Sequence, residues 1–153
     1  MNKLPKVSAF LLLCSLFCLS AKAQNSPIAQ GKWVKLQCNS DGIYRVNYSD
    51  LQAYGLDPAG LDPRKLQLLG QQGGMFSEIN DARNPGLIEN AIYVEGENDG
   101  VFNSGDYILF YAEGPHKWTW QNGTYQHSRN IYADNAFYYL GTGAVAGLRG
   151  GRM

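Results

Sequence analysis

The stretch Gly31-Lys32-Trp33-Val34-Lys35-Leu36-Gln37-Cys38, then Asn39-Ser40-Asp41-Gly42, then Ile43-Tyr44-Arg45-Val46-Asn47-Tyr48 decides the fold class. Val34, Leu36 and Cys38 fall on one face and Trp33, Lys35 and Gln37 on the other. That is the period of a strand with one buried and one wet face. The alternation resumes from Ile43 to Tyr48 after a four-residue polar turn, so a hairpin is expected. Working outward, Ser49 is placed to cap a short helix over residues 50–54, with Gln52 completing a capping box and Gly55 taking a left-handed ending. Two Asp-Pro steps, Asp57-Pro58 and Asp62-Pro63, lead to a strand over residues 65–69. The polar run over residues 75–86 reads as an exposed loop. Residues 91–95 and 107–112 give the two clearest strands, expected to pair as neighbours. Trp118 and Trp120 share one face of a short strand, Asn122-Gly123 is a tight-turn signal before Thr124 and Tyr125, and residues 136–140 form a last strand. Short strands between turn signals, with no internal repeat, predict an all-β, mainly antiparallel sandwich with one short helix.

The front of the chain has a different character. Lys3 and Lys6 precede an almost unbroken apolar run over residues 7–19, and Ala21-Lys22-Ala23 supplies small residues for cleavage before Gln24. Residues 1–23 therefore read as a secretory signal peptide. The 13-residue run is shorter than the roughly 20 residues a spanning helix needs, so no transmembrane segment is expected. Leu13 and Phe17, not small residues, precede Cys14 and Cys18, which argues against lipidation. Without residues 1–23 only Cys38 of the three cysteines remains, so an oxidising destination is implied with no internal disulfide. The remaining 130 residues carry thirteen acidic and ten basic side chains, a net charge of −3, and offer no basic patch for nucleic acid. The organisation expected is a signal over 1–23, one β-rich module over 24–140, and a glycine-rich tail or truncated linker over 141–153.

Three constellations invite a chemical reading. Glu95, Glu97, Asp99, Gly100, Asn103 and Asp106 fall at positions 1, 3, 5, 6, 9 and 12 of a calcium-loop register, with oxygen ligands at alternate positions and a glycine where the backbone turns. Strands rather than helices flank it, and Glu stands first and third. A polar hairpin loop with turns at Asn98-Asp99-Gly100 and Ser104-Gly105 fits those flanks better. The Gly141-Thr142-Gly143-Ala144-Val145-Ala146 run after a strand matches a dinucleotide fingerprint only locally, because no acidic residue follows it. Cys38 with His116 or His127 contains the residue types of a nucleophile and base. Yet Cys38 shares the face of Val34 and Leu36, which marks a buried structural thiol. No cysteine or histidine spacing suits zinc. Asn47-Tyr48-Ser49 and Asn122-Gly123-Thr124 are formal glycosylation acceptors, relevant to a eukaryotic host.

Taken together, the strings Gly31-Lys32-Trp33-Val34-Lys35-Leu36, Asp41-Gly42-Ile43-Tyr44-Arg45-Val46, Asp62-Pro63-Arg64-Lys65-Leu66-Gln67-Leu68 and Gly105-Asp106-Tyr107-Ile108-Leu109-Phe110-Tyr111 resemble the N-terminal region of the type IX secretion system sortase of Bacteroidetes, a gingipain-related family C25 cysteine peptidase. Glu89-Asn90-Ala91-Ile92-Tyr93-Val94, Gly114-Pro115-His116 and Asn130-Ile131-Tyr132 extend the likeness in the same order. The resemblance implies an exported protein of the bacterial outer membrane or cell surface. Family members remove the C-terminal signal of exported cargo and attach that cargo to anionic lipopolysaccharide. Their Cys-His pair lies in a peptidase domain further downstream, and no residue of this sequence matches those catalytic motifs. The expectation is a non-catalytic, cofactor-free module whose partners are that peptidase domain or other type IX secretion components. A free-standing exported module that binds carbohydrate or peptide through Trp118 and Trp120 is the competing reading, unless both tryptophans are core, as large aromatics in small sandwiches commonly are.

Overall fold

The computed structural model describes residues 26–77, 79, 86–143 and 151–153. The signal reading over 1–23, with Cys14 and Cys18, lies outside them, as do part of the 75–86 loop and residues 144–150 of the glycine-rich segment. The strands are β1 (Lys32–Cys38), β2 (Gly42–Asn47), β3 (Gln67–Gly70), β4 (Ile88–Asn90), β5 (Ile92–Glu95), β6 (Tyr107–Ala112), β7 (Lys117–Gln121), β8 (Thr124–Ser128) and β9 (Ala136–Thr142). One short helix, α1 (Tyr48–Ala53), follows β2. The strands form a four-stranded sheet in the order β1-β9-β3-β4, a three-stranded sheet β2-β6-β5, and a separate ribbon β7-β8. Every pairing within the sheets is antiparallel. The all-β expectation with one short helix holds.

The two larger sheets share one core: Val34, Leu36, Leu68, Tyr138 and Leu140 come from the first, Val46, Ile92, Val94, Ile108 and Phe110 from the second, and Leu51 of α1 and Phe102 close its end. β5 and β6 pair as the sequence implied, with Ile92 opposite Phe110 and Val94 opposite Ile108. β3 is buried along its whole length, which explains why Gln67-Leu68-Leu69-Gly70 does not alternate.

The expected β1-β2 hairpin is not formed. β1 pairs with β9 and β2 with β6, so the chain crosses between sheets at residues 39–41. Residue parity rules out the four-residue turn. A loop over 39–42 sets Cys38 opposite Ile43, and opposed residues of an antiparallel pair point to the same face. Val34, Leu36 and Cys38 would then share a face with Ile43, Arg45 and Asn47. In the structure Ile43 is 75% exposed while Val46 is buried and Tyr44 packs on the core, so both inward rows are even-numbered. A four-residue turn therefore cannot turn both rows inward, and in the structure the two strands lie in different sheets that share one core. The corner is pinned where the Gly114 N–H donates to Asp41 Oδ1 at 2.6 Å and the Tyr44 hydroxyl donates to the Ser40 carbonyl at 3.0 Å.

Smaller differences have local causes. The cap of α1 is Asn47, not Ser49, because β2 runs straight into the helix. Asp50 then accepts from the Asn47 N–H at 2.8 Å and from its side-chain amide at 3.1 Å. Gly55 does take the left-handed ending, at φ +84°. Each Asp-Pro step starts a single 3-10 turn, Pro58–Gly60 and Pro63–Lys65, in which the Asp carboxylate accepts the N–H two residues on. The second turn delays β3 by two residues relative to the expected strand. β9 in turn runs two residues further than the alternation, to Thr142.

Tyr138 ties the two sheets. Its ring is buried, 5.9 Å from that of Phe110, and a Cβ on Gly70 would come within 2.3 Å of it. Its hydroxyl accepts from the Glu113 N–H at 2.8 Å and donates to the Glu113 carbonyl at 3.2 Å. Replacing Tyr138 by Phe leaves both backbone groups unpartnered, and is expected to cost about 1–3 kcal/mol. Gly70→Ala, which overpacks the ring, is expected to cost about the same. Gly105→Ala, where no atom lies within 4 Å of a new Cβ, is expected to stay within about 0.5 kcal/mol of the parent. Urea unfolding midpoints of the three variants measure this order.

Candidate functional site

The β7-β8 ribbon departs most from the rest of the molecule. Asn122 (φ 53°) and Gly123 (φ 78°) both take the left-handed conformation, the turn that matches strand twist in a two-residue hairpin. Its register sets Trp118 opposite His127 and Trp120 opposite Tyr125, so all four rings lie on one face. The Trp118 and His127 centroids are 4.6 Å apart, those of Trp120 and Tyr125 4.8 Å, and His116 meets His127 edge-on at 6.0 Å. Trp118, Trp120 and Tyr125 are 64%, 63% and 68% exposed. The core reading of the two tryptophans is therefore overturned. Alternation alone gives the shared face but not what covers it, and this ribbon lies outside both sheets.

The base of the ribbon is held to the body by polar contacts. Lys117 pairs with Glu113 at 2.9 Å, and the Asn130 N–H donates to His116 Nδ1 at 3.1 Å. Asn130 also donates from its side chain to the Gly74 carbonyl at 3.2 Å and accepts from the N–H groups of Tyr132 and Ala133. The ribbon's second face, through Lys117, Thr119 and Ser128, lines an open cleft of about 470 Å³ with Met75, Phe76 and Ile79. Ile131 and Tyr132, both 70% exposed, are further apolar residues on the surface that periodicity did not single out, since they lie in an irregular connection.

The acidic connection between β5 and β6 is a compact turn. Gly96 (φ 83°) and Gly100 (φ 78°) bracket the 3-10 turn Glu97–Asp99. Glu95 accepts from the Tyr93 hydroxyl at 2.5 Å, and Glu97 from Arg152 Nε at 2.7 Å. Asp99 accepts from the Val101 N–H and from the Asn103 side chain, and Asp106 from the Asn103 N–H at 2.6 Å. The loop thus brings Asp99, Asn103 and Asp106 together, while Glu95 and Glu97 turn to other partners. Among the described residues no three His, Cys, Asp or Glu side chains cluster as a metal site.

Cys38 is buried, and the two histidines have the ring and backbone partners given above. Burial pushes its thiol pKa up to about 11, against a smaller lowering by a hydrogen bond with Tyr44. That is the opposite of what activates a nucleophile. Among the described residues no helix is long and apolar enough to cross a membrane.

No protein-family model matches the chain, and no curated protein does. Among solved structures it is similar to the crystal structure of dimeric latent PorU from Porphyromonas gingivalis, with 28% sequence identity and a TM-score of 0.58. The match covers 84% of this chain and 11% of that one. This chain thus corresponds in fold and sequence to a small part of a much longer protein.

The buried thiol provides a direct check on the site chemistry. A pKa of about 11 against an ordinary 9.0 leaves about 100-fold less thiolate at pH 8, before steric protection is counted. Cys38 is therefore expected to react with a thiol reagent at least about 100-fold more slowly in the folded protein than in urea, followed by absorbance at pH 8.

Proposed function

We propose that this chain is a non-catalytic β module of an exported protein of the type IX secretion sortase kind, and that its aromatic ribbon is the surface by which it meets a partner. The observation that carries this reading is the 28% identity with PorU over 84% of this chain, confined to 11% of that protein. The partner proposed is the peptidase domain downstream in such proteins, or another component of the same secretion apparatus. The destination proposed is the bacterial outer membrane or cell surface, reached through the signal over residues 1–23.

The ribbon suits that role physically. A two-stranded hairpin is marginal by itself in water, and Trp and Tyr are enriched among the few residues that dominate binding energy where proteins meet. Trp118, Trp120 and Tyr125 form a contiguous exposed row, and their removal changes little that holds the body together. The same exposure favours one second reading: a free-standing module that stacks a sugar or peptide on the tryptophan pair.

Affinity measurements with a separately produced peptidase domain distinguish the two. Association in the micromolar range is expected, weakened at least about tenfold by Trp118→Ala or Trp120→Ala. The urea midpoints of both variants should match the parent, because each ring is exposed. No association at about 100 µM overturns the module reading. Glycan binding that is lost with Trp118→Ala establishes the alternative.

A further inference from the structure

β5 is an edge strand of its sheet, and residues 151–153 lie along it. The Ile92 N–H donates to the Gly151 carbonyl at 2.9 Å and the Met153 N–H to the Ile92 carbonyl at 3.1 Å, which makes a parallel bridge between Ile92 and Arg152. Glu89 accepts from the Gly151 N–H at 2.9 Å. Between these backbone bonds the Arg152 side chain enters a socket. Its Nη2 donates to the Pro63 carbonyl at 2.8 Å, its Nη1 to the Leu66 carbonyl at 3.2 Å, and its Nε to Glu97 Oε2 at 2.7 Å. Both side chains of the Arg152–Glu97 pair are only 16% exposed.

We propose that the β5 edge and this socket form a binding site for an extended, arginine-bearing polypeptide strand, which Gly151-Arg152-Met153 occupies as a resident ligand. The socket is built by parts that exist without its occupant. Pro63 and Leu66 belong to the turn begun by Asp62-Pro63, and Glu97 to the 3-10 turn between Gly96 and Gly100. Strand addition gives affinity through main-chain bonds and specificity through the pockets that receive alternate side chains.

The chemistry selects arginine. Three acceptors arranged around one planar group match the guanidinium fork, whereas an ammonium is a point charge that cannot span two carbonyls and a carboxylate together. The flanking positions are permissive. A Cβ at Gly151 would meet only Ala91 and Asn90 backbone atoms at 3.7 Å or more, and Met153 is 66% exposed. The site therefore reads one arginine in an otherwise unspecified strand. A partner strand gains access by displacing residues 151–153.

The full-length Arg152→Ala variant vacates the socket. Titration with acetyl-Gly-Arg-Met-amide, followed by amide chemical shifts, is expected to move the Ile92 and Glu97 signals with saturation in the millimolar range. The lysine analogue should bind at least about tenfold more weakly, and the parent chain should not respond at the same concentration. Unmoved Ile92 and Glu97 signals at about 10 mM, or equal responses to the arginine and lysine peptides, overturn the proposal. Should Arg152→Ala not fold, Arg152→Lys serves instead. Hydrogen exchange at the Ile92 amide is expected to accelerate at least about tenfold in that variant, and an unchanged rate overturns arginine selection.

Discussion

The contact on which the rest of the structure depends is that of the Tyr138 hydroxyl with the backbone of Glu113. β9 is bonded on both sides, to β1 and β3, so its position fixes the four-stranded sheet. Glu113 directly follows β6, which is likewise bonded on both sides in the three-stranded sheet. One side chain therefore joins the central strands of both sheets. Its hydroxyl can accept from the Glu113 N–H and donate to the Glu113 carbonyl because it carries both functions, and at a buried site each bond avoids a desolvated, unpartnered group. The ring fits only because residue 70 has no side chain.

The same anchor governs the ribbon. The next residue, Gly114, donates to Asp41 at the β1-β2 corner, and Pro115 is fully buried. β7 starts two residues later, with Lys117 reaching back to Glu113. The exposed aromatic row thus projects from a segment tied to the body by these contacts. A binding surface gains from such a base, since less conformational freedom is lost when it engages.

What the sequence revealed follows from which interactions are local. β6, β5 and the Asn122-Gly123 turn are legible because alternation and turn chemistry are properties of neighbouring residues. The even-numbered parity of both inward rows argues against a four-residue turn between β1 and β2, but their true partners, β9 and β6, lie far along the chain and no local pattern announces them. β4 is three residues long and too short to show a period. For the candidate site, alternation put Trp118 and Trp120 on one face and was silent about burial. Arg152 was illegible, since its partners lie 55 to 89 residues away and two of them are backbone carbonyls that no side-chain pattern announces.

The acidic connection shows how one spacing serves several ends. Carboxylates at alternate positions match a cation loop, but alternate positions in a tight turn also face backbone N–H groups, and here Asp99 and Asp106 accept from them. Any cation entering the loop competes with those donors and, at Glu97, with a largely buried arginine. The desolvated pair is the harder partner to displace: removing the arginine takes the ion-pair partner from Glu97 and one donor each from the Pro63 and Leu66 carbonyls, the first of which still accepts from the Leu66 N–H. The loop between β5 and β6 thus also supplies, through Glu97, one of the groups that hold Arg152. The two glycines permit the left-handed turns on either side of Glu97–Asp99, and that geometry sets Glu97 against Arg152.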